Sequence, residues 1–253
     1  MIDSHAHLIG DMLDAKHIIN NMQQDNLELI INIGTSLQDC QEGIKLAQNN
    51  KNIYTTVGLH PEYAQELTKD SLKQLENFLP NNKIVAIGEI GLDYHYGADD
   101  KLKEKQKEYF IEQIKLANKY NLPIVIHCRD AVIDVLSILK QYKHLLANGL
   151  CMHCYSEGAQ YIQDFINLGA YISFTGNITY KKTDRTYLKQ IPLDKLMVET
   201  DCPFLSPEPI RGTINQPKNV THIIQKIADT LQMDYTELEK ITSNNSKTFF
   251  KIK

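Results

Sequence analysis

The chain has 253 residues, 42% of them apolar and 23% charged, and a formal net charge of −4 from 27 basic and 31 acidic side chains. That length admits one large α/β domain or two smaller ones, with a core of ordinary size. The charge balance excludes a wrapper of long duplex nucleic acid, which shows a basic stripe, and the lack of any long apolar run excludes a transmembrane helix.

The first β-rich run, MIDSHAH (1–7), places two histidines one residue apart. Extended backbone has a side-chain period of two, so Asp3, His5 and His7 share one face, and Ile2 and Ala6 the other. Similar runs follow at LELIINIG (27–34), IYTTVGLH (53–60), KIVAIGEIG (83–91), LPIVIHCR (122–129), GLCMHCY (149–155), AYISFTG (170–176) and KLMVETD (195–201). Helix-like stretches separate them, such as 99–120 and 159–169, the latter ending on a glycine suited to a helix C′ position. Eight strand signals, each followed by a helix signal at intervals of about twenty to thirty-five residues, have the rhythm of βα units. Strands apolar almost throughout indicate a parallel sheet buried on both faces, and eight units predict an α/β fold, a closed (β/α)8 TIM barrel. An open doubly wound sheet is the alternative, but no GxGxxG loop follows the first strand. The tail from Tyr235 to Lys253 is expected to form an additional C-terminal helix outside the barrel. With no repeat, low-complexity segment or linker in the sequence, residues 1–253 read as one domain.

In a parallel barrel, functional groups come from the C-terminal ends of several strands. Here those ends carry His5, His7, His60, Glu89, His127, His153 and Asp201, while His17, His95, His144 and His222 fall in helix or loop stretches. A lone histidine of this kind is more often structural. As a set, imidazoles and carboxylates converging on one mouth would be buried without partners unless metal or dense hydrogen bonding satisfied them. His60 either contacts substrate or caps the loop before Pro61. Cys128, Cys154 and Cys202 each follow a candidate ligand, so along a strand their thiols should lie on the opposite face, against the surrounding helices. For the same reason CxxC at Cys151 and Cys154 sends its sulfurs to opposite faces, out of disulfide reach, which counts against a redox dithiol. The remaining nitrogen and oxygen donors suit Zn, Mn, Mg or Fe. Four histidines, one glutamate and one aspartate exceed the needs of one catalytic metal, and two metals bridged by a carboxylate use them naturally. Arg129, Arg185 and Arg211 follow the fifth, seventh and eighth strands, on the same face, and guanidinium forks there could make a small phosphate-binding rim.

The stretches DSHAHL (3–8), GLHP (58–61), GEIGLDY (88–94), HCRD (127–130), MHCYS (152–156), ETDCPFLSP (199–207) and RGTINQPKNV (211–220) together resemble the TatD family of metal-dependent deoxyribonucleases, a branch of the amidohydrolase superfamily. The resemblance spans essentially the whole chain, to a closing ITSNNSKTFF. It implies a two-metal site of His5, His7, Glu89 as the bridging carboxylate, His127, His153 and Asp201. Other amidohydrolases bridge their metals with a carbamylated lysine, but Lys83 lies at the wrong end of its strand. Glu157 departs from the family, which usually has a glycine soon after this His motif.

The expected reaction is hydrolysis of a phosphodiester by a metal-activated water at two divalent ions (Zn, Mg or Mn), with Asp201 as general base. Asp3 and Glu199 are expected to orient imidazoles or waters, and His60, Arg129 and Arg211 to hold the scissile phosphate. The resemblance implies 3′-to-5′ trimming of DNA, and an acidic protein with a small basic rim suits single-stranded ends, with RNA as a further substrate. Hydrolysis of an ester or C–N bond, as in a D-aminoacyl-tRNA deacylase, is the rival on the same metals. A non-catalytic metal-binding protein and a redox protein are the others. Five cysteines, an odd number, and no visible secretory signal suggest reduced thiols in a cytoplasmic protein with no membrane association, expected to be a monomer.

Overall fold

Eight strands pair in parallel, each with the next in chain order: β1 (Ile2–Ala6), β2 (Leu29–Asn32), β3 (Ile53–Val57), β4 (Ile84–Asp93), β5 (Ile124–Arg129), β6 (Leu150–Met152), β7 (Tyr171–Phe174) and β8 (Leu196–Val198). Around them lie α1 (Ala15–Asn21), α2 (Leu37–Gln48), α3 (Lys69–Phe78), α4 (Asp100–Lys119), α5 (Val132–Gln141), α6 (Ala159–Asn167), α7 (Val220–Leu231) and α8 (Tyr235–Phe250). The computed structural model describes residues 1–95 and 97–252, so Lys253, the end of the expected C-terminal helix, lies outside the described residues. Each strand expected from sequence is present, and α8 begins at Tyr235 as anticipated, where Asp234 accepts hydrogen bonds from the Thr236 and Glu237 amides. Among the described residues no helix is long and apolar enough to cross a membrane.

One expected helix is missing. Between β7 and β8 the chain runs through 3₁₀ turns at Gly176–Thr179, Thr186–Gln190 and Leu193–Lys195. The stretch YKKTDR has no apolar face of helical period, and its backbone is fastened by a side chain instead. Arg185 donates from Nε to the Ile178 carbonyl at 2.5 Å, from Nη1 to Thr183 at 3.0 Å and from Nη2 to Tyr180. Arg185 is thus committed to shaping its own loop, and the expectation that it joins a phosphate-binding rim is corrected.

Alternation along the strands divides the core in two. Side chains facing the helices form the larger apolar cluster, whereas Ile31, Val85, Val125, Cys151 and Met197 form a smaller one with Phe249 and Phe250 of α8. Val125, Cys151 and Met197 stand two residues before His127, His153 and Glu199, on the same strand faces. The inner apolar layer therefore lies directly beneath the polar one. Phe249 closes it from below, with its ring 5.2 Å from Tyr171 and 4.8 Å from Phe250.

Closure between the first and last strands is not a regular ladder. Beyond the Ala6–Cys202 bridge, Asp201 N donates to His5 O at 2.9 Å and His7 N to Cys202 O at 2.8 Å. The fully buried Asp3 carboxylate accepts from Thr200 N at 2.9 Å and Thr200 Oγ1 at 2.5 Å. Asp3 holds this seam and, through the His5 amide at 3.4 Å, the backbone of β1; its hydrogen bonds go to backbone and to Thr200 rather than to an imidazole ring.

All five cysteines are free. Cys202 is fully buried in the bridge to Ala6, and Cys128, on β5, packs against the larger cluster as its strand position requires. Cys154 differs: β6 ends at Met152, residue 154 turns to φ +47°, and its sulfur sits 3.4 Å from Thr175 Oγ1 at the end of β7. Strand periodicity stops where the strand does.

Replacing Phe249 by Ala opens the floor of the barrel and is expected to cost about 3–5 kcal/mol. Urea unfolding checks this, with a lower midpoint at an unchanged slope.

Candidate metal centre

Glu89 is the meeting point of the strand ends. On either side of it, Gly88 and Gly91 let β4 lie hard against β5: a Cβ at Gly88 would stand 2.6 Å from Val125 Cβ, and one at Gly91 would stand 2.0 Å from the His127 carbonyl oxygen. Gly91 also has φ +143°, which side-chain-bearing residues avoid. These glycines let the backbone carry the carboxylate close to His127.

Two sets of donors face the two oxygens of that carboxylate. Oε1 is 2.8 Å from His127 Nδ1, 2.8 Å from His153 Nε2 and 3.5 Å from His60 Nε2. Oε2 is 3.4 Å from His5 Nε2 and 3.8 Å from His7 Nε2. Asp201 Oδ1 completes the second set, 3.5 Å from His5 Nε2 and 3.2 Å from His7 Nε2. His5, His7 and Asp201 form one cluster able to hold a cation, and His60, Glu89 and His127 another; a third joins His5 and His153 to Glu199. All six residues expected as ligands are brought together, and among the described residues no cysteine enters any cluster.

The titratable groups of the cluster shift one another. Burial opposes ionisation of every group here, and the partners decide the outcome. His153, His60 and His127 hold the Glu89 carboxyl well below its usual range, and His7 and His5 do the same more mildly for Asp201. In return Glu89 and Glu199 raise His153 well above an ordinary imidazole, Asp201 raises His7, and Asp93 with Glu89 raises His127. His5 goes the other way, kept neutral by burial and by His153, on which its ring stacks at 4.1 Å. Carboxylates this deeply placed gather positive charge from any source, and divalent cations supply it on the same nitrogen and oxygen donors. The donor set fits such ions.

An outer layer fixes the rings. His153 Nδ1 lies 3.2 Å from Glu199 Oε1, which also accepts from Cys154 N at 2.7 Å, while Glu199 Oε2 accepts from Ser173 Oγ at 2.6 Å. With Nδ1 held by Glu199, the His153 ring turns Nε2 toward Glu89 Oε1 at 2.8 Å. His60 has the opposite tautomer: Nδ1 accepts from Glu62 N at 3.2 Å, so in the neutral ring Nε2 carries the proton and donates toward Glu89. It caps the turn at Pro61–Tyr63, one of the two alternatives left open by sequence, and its Nε2 faces the Glu89 carboxylate.

Sequence reasoning missed Asp93, whose Oδ2 lies 2.9 Å from His127 Nε2. Glu89, Gly91 and Asp93 alternate on one strand, and the signal was available had β4 been extended past Gly91 to Asp93. Arg129 ends β5 opposite Asp93 and, with His127, helps hold that carboxyl below its usual range. Arg211 stands at the rim, its guanidinium 4.0 Å above the Tyr180 ring and 4.0 Å from Glu208 Oε1. Glu157 lies against the Cys128 thiol, and burial followed by the nearby Asp130 pushes its carboxyl up.

Residues 2–251 match the family model described as TatD related DNase. The chain is 37% identical over 256 residues to YabD of Bacillus subtilis, named an uncharacterized metal-dependent hydrolase, across 100% of this chain and 99% of that one. It is 30% identical over 259 residues to the similarly named YcfH of Escherichia coli K12, across 100% and 96%. Among solved structures, YJJV, a TatD homolog from Escherichia coli K12, superposes with a TM-score of 0.92 at 29% identity, covering 100% of this chain and 98% of its own.

Glu199→Gln keeps the shape of the side chain but removes the charge that orients His153, and is expected to weaken divalent-metal affinity by roughly 10- to 100-fold. Competition with a chromogenic chelator measures the loss, and unchanged affinity would contradict this role.

Proposed function

The chain belongs to the TatD family of metal-dependent hydrolases, and we propose that its reaction is hydrolysis of phosphodiester bonds at single-stranded DNA ends, releasing nucleotides from the 3′ end, with RNA a further substrate. One observation carries the reading: a single carboxylate, Glu89, presents one oxygen to His5 and His7 and the other to His127 and His153. That division suits two divalent ions (Zn, Mg or Mn) bridged by Glu89, with His5, His7 and Asp201 on one side and His127 and His153 on the other. When bound, such a pair supplies Lewis acidity toward phosphate oxygens and a water of lowered pKa.

The chain's own groups do the rest. Asp201 has 14% of its side chain exposed against 5% for Glu89, so it is the better placed of the two to accept a proton and return it to solvent. Glu89, held ionised, keeps the two sets of imidazoles at fixed separation. His60, Arg129 and Arg211 are assigned to the scissile phosphate, His60 through Nε2–H and the arginines through their guanidinium forks. The net negative charge of the protein is consistent with a short footprint at a strand end, because long contacts would need many more cations.

The test compares metal-stripped protein with protein reloaded with Mg²⁺, Mn²⁺ or Zn²⁺, on single-stranded oligonucleotides labelled at the 3′ or 5′ end. Metal-dependent release of nucleotides is expected, with the 3′ label lost first, and Glu89→Ala should reduce it by at least about 100-fold. Folded, metal-loaded protein that releases nothing would sink the nuclease reading and turn attention to ester and amide substrates.

A further inference from the structure

Six large apolar side chains are exposed among the described residues, and five of them, Met12, Tyr63, Ile133, Phe204 and Ile214, lie in loops or first helical turns that follow strands, on the face that carries the metal centre. Only Leu193, just before β8, is elsewhere. Exposed apolar residues scattered singly need no explanation, but confinement to one face does. Phe204 is the most telling of them. Its ring is 6.3 Å from the His7 ring, edge to face, yet the residue is 54% exposed.

The backbone beneath that ring is held in place. Phe204 N donates to Asp201 O at 3.0 Å, and the Phe204 carbonyl accepts from Asn215 Nδ2 at 2.7 Å. Asn215 is fully buried and also donates to Thr200 O at 3.0 Å, while Asn219 Nδ2 donates to its Oδ1 at 2.9 Å. The loop thus fixes Phe204 to the same backbone that carries Asp201, and leaves an apolar ring in water beside a candidate ligand. Folding alone gains little from a phenyl ring so exposed, whereas a planar ligand gains a preorganised face. Arg211 occupies the same loop, above Tyr180, and Tyr180 Oη donates to Ser206 O at 3.1 Å. One loop therefore offers an aromatic face for a base and a guanidinium for a phosphate.

We infer that Phe204 is a specificity-determining residue that stacks the nucleobase of the nucleotide being removed. The inference rests on the nuclease reading and deepens it. Stacking on a protein ring requires a base free of its neighbours and its pairing partner, so Phe204 selects frayed or single-stranded ends without reading sequence.

The test uses the full-length, metal-loaded protein and two single-stranded oligonucleotides. One is unmodified; the other carries a tetrahydrofuran abasic residue at the end from which nucleotides are released, keeping sugar and phosphate but lacking the base. Phe204→Ala is expected to lower kcat/KM on the unmodified strand by roughly 10- to 100-fold, and on the abasic strand by less than about 3-fold. Phe204→Trp should retain activity on the unmodified strand. Thermal unfolding and metal content matching wild type show that the variants are folded and loaded. Equal losses on both strands, or no loss on either while wild type cleaves, would overturn the inference and leave the nuclease reading standing. Failure of wild type to cleave any strand overturns both.

Discussion

A carboxylate almost sealed from water, with imidazoles on both of its oxygens, is the constraint around which the molecule is organised. His153, His60 and His127 hold the Glu89 carboxyl well below its usual range in the interior, and His5 and His7 face its other oxygen. Those five come from the ends of β1, β3, β5 and β6 and the residues just beyond, so the electrostatic demand of one side chain is met only if the strands finish at the same height. A barrel provides that, since its strands are staggered around a common axis and their C-terminal ends ring one opening. Packing serves the same end: the inner apolar layer, closed below by Phe249 and Phe250, is the floor on which the polar layer stands.

Much of this was legible from a period of two. His5 and His7 are separated by one residue at the end of β1 and look into the same space, where both face Glu89 Oε2. What stayed hidden depended on where strands stop. Asp93 was missed because β4 runs two residues longer than its apolar run, and Cys154 was misplaced because β6 ends two residues before it. Both errors concern hydrogen bonds to neighbouring strands, which leave no mark on local composition. The β7–β8 connection illustrates a different limit. A charged stretch without helical period still builds an ordered crossover, because the side chain of Arg185 takes up carbonyls that a helix would have satisfied internally. Asp3 shows a third: its face was read correctly, but its partner, Thr200, lies almost the whole chain away.

The opening has two layers of different character. The inner groups are buried, hydrogen-bonded and mutually charged, so few substitutions there leave the centre intact. The rim consists of loop residues such as Phe204, Arg211 and Glu157, whose side chains contribute little to the barrel. Relatives with the same centre are therefore free to differ at the rim, and the family's shared hydrolytic machinery does not by itself fix what enters.

The seam between β1 and β8 makes the centre a property of the completed chain. His7 and Asp201 are separated by 194 residues, and the hydrogen bonds that set them side by side join the first strand to the last. A polypeptide still being synthesised holds His5 and His7 long before Asp201 exists, and any fragment that stops short of β8 has one set of ligands without its carboxylate. The contacts that close the ring span nearly the full sequence, which places them among the slow steps of folding. A hydrolase built this way has an incomplete centre until β1 and the residues after β8 have paired.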